Sequence, residues 1–137
     1  MIEHDRLRDR VDCLQSIPAV GPIVALTWAL EIGEVQRFRT ISRATSYCGL
    51  TARLYQSAGQ QRRQPLSRQR NPYLQTVLVE AAKMAPRFYP PFQEIYDQQR
   101  QRGNPNRATL TVARKLVAYL MAVDRRQQPF RIPHAEA

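Results

Sequence analysis

"SIPAVGPIVALTWALEIGEV", residues 16–35, decides the fold class. Pro18 ends whatever helix precedes it, and Gly21 permits a tight turn. Pro22 suits the first position of a new helix, because its missing N–H is one that a first turn leaves unbonded anyway. Behind it, Val24, Leu26, Trp28, Ala29, Leu30 and Ile32 make the segment almost wholly apolar. A helix apolar on every side belongs in an interior, so this one is predicted to be the central core helix. Gly33 stops it.

Upstream, "EHDRLRDRVDCLQS", residues 3–16, has a narrow stripe of Leu7, Val11 and Leu14 at coiled-coil spacing on an otherwise charged helix. So thin a stripe predicts a partner. Residues 1–16 read as a linker helix, the end of a longer coiled-coil segment, through which the chain would form a homo-oligomer. Residues 17–130 read as the domain and 131–137 as a polar tail.

Downstream, "SRATSYC", residues 42–48, predicts a short helix capped by Thr40 or Ser42 and stopped by Gly49. Residues 50–70 have no helical stripe and read as an irregular loop or small hairpin. "RNPYLQTVLVEAAKMAP", 70–86, restarts with Asn71 as cap and Pro72 as first residue. Leu74, Val77, Leu78, Ala81 and Met84 or Ala85 follow at helical spacing, and Pro86 is expected to close the helix. A further helix spans 90–103, with Phe92, Ile95 and Tyr96 inward and Gly103 as its stop. The last runs from about Thr109 to Arg126 on a stripe of Leu110, Ala113, Leu116, Val117, Leu120 and Met121. The whole predicts an all-α fold of five to six helices with a helix-hairpin-helix-like turn and one basic loop.

Charge is the first clue to function. The net charge is +10, and it is concentrated. Between Val35 and Val79 there is no carboxylate, yet there are eight arginines, so the other 92 residues net only +2. A solubility device spreads its charge, whereas one 45-residue block of a single sign points to a polyanion, DNA above all. Of 21 basic residues 19 are arginine, whose planar fork suits phosphate. Arg53, Arg62, Arg63, Arg68 and Arg70, interleaved with amides and flanked by Tyr55 and Tyr73, are the candidate phosphate contacts, with Asn71 at the end of the run. The "IPAVGP" turn adds Gly21, where backbone N–H groups at a helix start could meet a DNA phosphate. A plain turn between core helices is the alternative.

Other chemistry is sparse. Cys13 and Cys48 stand alone, without metal or redox spacing, and read as reduced thiols. His4 and His134 lie near opposite ends, and no metal site is evident. No apolar run is long enough to span a membrane and no signal-peptide core is present, which predicts a cytoplasmic protein, nucleoid-associated if it binds DNA. Ser57, in "YQSAG", has Gly59 and several arginines close behind it but no general base beside it. On residues alone, a phosphate-contacting or turn-forming serine outweighs a nucleophile.

The ordered blocks "SIPAVGPIVALTWALEIGEVQRF", "YCGLTARLYQSAG", "RNPYLQTVLVEAA" and "ARKLVAYLMAV" change that balance. Together, over roughly residues 7–130, they resemble the C-terminal domain of bacterial transposases of the insertion sequence 110/116/902 family. The resemblance implies DNA transposition by phosphoryl transfer. It matches Ser57 to a serine that attacks the DNA backbone and becomes covalently joined to it, and "IPAVGP" to the family's hairpin turn. It further implies a separate N-terminal RuvC-like domain with four acidic residues and a divalent metal such as Mg, and in some members a structured bridge RNA as guide. This chain has no evident set of acids for that metal, so no cofactor is expected in it, and little strand transfer is expected from it alone.

The chain departs from the family pattern at three points. Ala58 follows the serine where glycine is common. Gln64-Pro65 replaces an arginine-x-glycine pattern, and Arg70-Asn71 stands for glycine-asparagine. These departures define the alternative of a catalytically silent, nucleic-acid-binding remnant. A helical oligomerisation module, its basic face balancing an acidic partner, is the third.

Overall fold

The computed structural model describes residues 2–51 and 71–130. Among them are six α-helices, one 3-10 turn and no strand, as the stripes and stops predict. They are α1 (Ile2–Gln15), α2 (Pro22–Ile32), a 3-10 turn (Val35–Arg37), α3 (Ile41–Tyr47), α4 (Pro72–Phe88), α5 (Pro90–Arg100) and α6 (Pro105–Arg126).

The centre is α6, not α2. All six residues of its predicted stripe are buried, and α1, α3, α4 and α5 all pack on it. On α2, Ala25, Trp28, Ala29 and Ile32 are buried, but Ile23 and Leu30 are 72% and 60% exposed, with Leu26 between them at 42%. These three sit at i, i+3 and i+7, one face of the helix. Apolar composition makes burial favourable but does not supply a neighbour. Here α2 packs chiefly on α1 and α4, and its third side has nothing over it among the described residues.

The thin stripe of α1 finds its partner within the chain. Leu14 is fully buried, Leu7 and Val11 pack against the core, and α1 lies on α2 and α6. One buried polar group fastens this packing. Asp124 of α6 is 2% exposed and accepts from Arg10 Nε and Nη2, both at 2.8 Å, and from Trp28 Nε1 at 2.9 Å. Arg10 Nη2 also donates to Gly33 O at 2.6 Å, at the carbonyl end of α2. Three helices thus meet at one carboxylate.

Two helix boundaries differ from expectation. Pro86 does not close α4, which runs on to Phe88. Pro86 lies in the last turn, where its absent N–H forfeits one bond, and Tyr89 N–H still reaches Ala85 O at 3.2 Å. Tyr89 alone separates α4 from α5. In turn, α6 begins at Pro105, earlier than its apolar stripe indicates, because Asn104 caps it by accepting from the N–H groups of Asn106 and Arg107.

The turn before α2 also has its own geometry. Val20 N–H closes on Ile17 O at 3.0 Å, with Pro18 second and Ala19 third at φ 74°. That is a type II pattern, whose third position favours glycine. Ala19, not Gly21, is therefore the left-handed residue. Gly21 is the N-cap of α2 with φ −91° and ψ −173°, open to any residue, and a Cβ there would meet no heavy atom within 4 Å. Cys48 is fully buried, and desolvation pushes its thiol pKa up to about 12, so it is an inert core residue; Cys13 is free and half-buried.

Candidate nucleic-acid interface

The site is framed where the chain enters and leaves residues 52–70. On the entry side, Thr40 caps α3 by accepting from Arg43 N–H at 3.1 Å, and Thr45 Oγ1 back-bonds to Ile41 O. Gly49, at φ 73°, turns the chain out of α3, and Leu50 N–H returns to Thr45 O at 3.0 Å. Two side chains from other helices hold this exit. Gln75 Nε2 of α4 donates to Gly49 O at 3.0 Å, and Arg114 Nε of α6 donates to Leu50 O at 2.7 Å.

On the return side stands Asn71. Its N–H donates to Tyr47 O at 2.7 Å, so the chain comes back to the end of the helix it left. Its Oδ1 accepts from Leu74 N–H at 3.0 Å, the predicted cap. Its Nδ2 donates to Glu31 Oε1 at 2.7 Å and to Tyr47 Oη at 3.3 Å. Tyr47 Oη in turn donates to Glu31 O at 3.3 Å. The Asn71 side chain is thus engaged on every side and only 8% exposed. Arg37 packs beside this corner. Its guanidinium carbon lies 4.4 Å from the Phe38 ring centre and 4.8 Å from that of Tyr47, while its Nε donates to Ile32 O at 2.8 Å.

Of the residues the sequence marks for chemistry, Ser57, Arg53, Arg62, Arg63, Arg68 and Arg70 lie outside the described residues. Asn71 and Gly21 are described, and the structure does not bring them together. Asn71 meets α2 at Glu31, ten residues beyond Gly21, so about 15 Å of helix separates the two. Exposed arginines flank the corner at Arg39 and Arg43. Sequence reading missed Glu31, Tyr47, Gln75 and Arg114 as frame residues, because their partners are 16 to 64 positions away and no short spacing links them. Among the described residues no group of three or more His, Cys, Asp or Glu could hold a metal ion, and no helix is long and apolar enough to cross a membrane.

The family model described as "Transposase IS116/IS110/IS902 family" matches residues 11–97, more than half of the chain. The chain belongs to this transposase family. The match runs from α1 into α5 and takes in all of residues 52–70 and every frame residue but Arg114. Two curated relatives agree. A "Probable family 20 transposase" from Pseudomonas aeruginosa is 32% identical over 80 residues, covering 58% of this chain and 24% of the relative. The "Transposase for insertion sequence element IS1111A" from Coxiella burnetii is 26% identical over 129 residues, covering 88% of this chain and 35% of the relative. The chain therefore spans between a quarter and about a third of the length of the curated relatives it matches. No solved structure matches it.

Proposed function

We propose that this chain is the DNA-binding, serine-bearing part of an insertion-sequence transposase, with Ser57 as the nucleophile. The observation that carries the reading is the family match across Ser57 and the acid-free arginine block together. In this reading the oxygen of Ser57 forms a bond to a DNA phosphorus and displaces a deoxyribose oxygen. Arg53, Arg62, Arg63, Arg68 and Arg70 neutralise phosphate charge, which in phosphoryl transfer is most of what a protein can contribute. Asn71 acts as a positioning residue, fixing where the chain returns to the helices. The half-buried N-cap at Gly21 offers the backbone N–H groups of the first turn of α2 to a second phosphate, as hairpin turns between helices do. Divalent metal and the remaining acid–base groups belong to an acidic partner domain, as the family resemblance implies, and a guide RNA would select the DNA where one is used.

Covalent trapping tests this. The chain is mixed with the acidic domain of an intact relative, divalent metal and a branched DNA carrying the element's end, with Ser57→Ala alongside. A protein–DNA adduct on a denaturing gel that disappears in the variant is the expected result. No adduct, while an intact family member gives one, would overturn the nucleophile. If salt-sensitive DNA binding then remained equal in both proteins, the catalytically silent remnant marked by Ala58 would be the better description.

A further inference from the structure

The first arginines of the acid-free block, Arg37, Arg39 and Arg43, are all exposed, but they are not alike. No hydrogen bond or ring contact holds the side chain of Arg39 or Arg43 among the described residues. Arg37 is held on three sides. Its Nε donates to Ile32 O at 2.8 Å, one of the last carbonyls of α2, which the helix itself leaves unbonded. Its guanidinium lies over both the Phe38 and the Tyr47 ring, and these rings are only 5.3 Å apart, tilted by 48°. Two aromatic faces and one hydrogen bond fix the cation in place and in orientation. Its Nη edge is left over. Among the described residues no acceptor takes that edge, and no carboxylate forms an ion pair with Arg37. The acids closest in sequence do not serve it. Glu31 accepts from Asn71 Nδ2, and Glu34 offers the Arg37 N–H its backbone carbonyl. Capping a carbonyl needs one donor and stacking needs none, so a purely structural role leaves half of the fork unused. The place is specific too. Tyr47, one of the two rings, is also the residue whose carbonyl accepts from Asn71 N–H where the chain returns from residues 52–70.

We propose that Arg37 is a pre-organised phosphodiester seat, whose Nη edge takes oxygens of one DNA backbone phosphate while Ile32 O, Phe38 and Tyr47 hold the guanidinium. A side chain that is already immobilised gives up little freedom on binding, so its contact counts for more than that of a loose surface arginine. Lysine could lie on the same rings, but its single nitrogen has no fork to share between a carbonyl and a phosphate. The seat rests on the DNA-binding reading above and adds to it one contact that the helical body itself fixes. Its effect is to set the DNA backbone at the corner where the chain leaves and rejoins the helices.

The test is the salt dependence of binding to a short DNA duplex by the full 137-residue chain, read by fluorescence anisotropy over a KCl series. Each neutralised phosphate contributes about 0.9 to the slope of log K against log salt. Arg37→Gln should flatten the slope by about one. Arg37→Lys should keep the parent slope but bind several-fold more weakly. Arg8→Gln, which removes one exposed charge from α1, should leave the slope unchanged. A flattening in Arg37→Gln no greater than that in Arg8→Gln would overturn the seat. So would an Arg37→Lys that binds as tightly as the parent, since a bare charge would then suffice. Thermal melting checks each fold. If the Arg37 variants do not fold, phenylglyoxal labelling of the parent, read residue by residue by mass spectrometry, decides instead. Arg37 should react in the free chain and be protected by the duplex, while Arg8 reacts in both. An Arg37 that is inert in the free chain, or equally reactive with and without DNA, would overturn the seat. A parent that binds no DNA even at low salt would overturn the DNA-binding reading and the seat with it.

Discussion

Among the described residues two polar clusters stand out, and they are built on different physics. One joins Arg10, Asp124 and Trp28 where α1, α2 and α6 meet. The other joins Asn71, Glu31, Tyr47 and the end of α3. In the first, a carboxylate with a fully buried side chain depends on a single cation, whose side chain is 20% exposed. In the second, a neutral amide is held by three partners at once, and the acid beside it is half-buried. The first is a fastening with one point of failure. The second distributes its bonds, so that loss of any one leaves the rest. The fastening lies along α1, and the distributed cluster at the edge of the arginine-rich segment.

The sharpest way to break the comparison is Arg10→Ala. It strands Asp124 with Trp28 and Gln127 as its remaining side-chain donors and should cost about 3–5 kcal/mol in urea unfolding. The double variant Arg10→Met with Asp124→Leu should recover part of that loss, because it removes the buried charge while leaving the Trp28 Nε1–H without its acceptor, at about 1–3 kcal/mol. If the double variant were as unstable as the single, the ion pair would be stabilising in itself and the fastening picture wrong. Asn71→Ala comes next, at about 1–2 kcal/mol, since it removes a helix cap and a buried donor but no charge. A cost as large as that of Arg10→Ala would show the two clusters to be alike. The smallest effects belong to the turn before α2. Ala19→Gly should stabilise by up to about 1 kcal/mol, because alanine at a left-handed φ is strained. Gly21→Ser, at an open cap position, should shift the melting midpoint very little.

The helices themselves were legible. The stripe from Leu110 to Met121, the cap at Asn71 and the stops at Gly33 and Gly49 are local signals, and each sits where the pattern places it. The Asn104-Pro105 start is equally local, the same dipeptide as Asn71-Pro72, but the apolar stripe begins only at Leu110 and so places the start too late. What could not be read is whatever depends on a distant neighbour. Arg10 and Asp124 are 114 positions apart, and nothing near either one announces the other. The exposure of Ile23 and Leu30 is the same problem in reverse, since composition states what a helix could bury and not what is there to cover it. The frame of the candidate site belongs to the illegible class, while the arginine block it borders is plain in the sequence.

The hydrogen bond from Asn71 N–H to Tyr47 O has a consequence for how such proteins diversify. Because the chain returns to the place it left, a change in length between residues 51 and 71 shifts the register of none of the six described helices. The helical body can therefore act as a socket for interchangeable inserts. Selection on the insert can proceed without renegotiating the core that holds it.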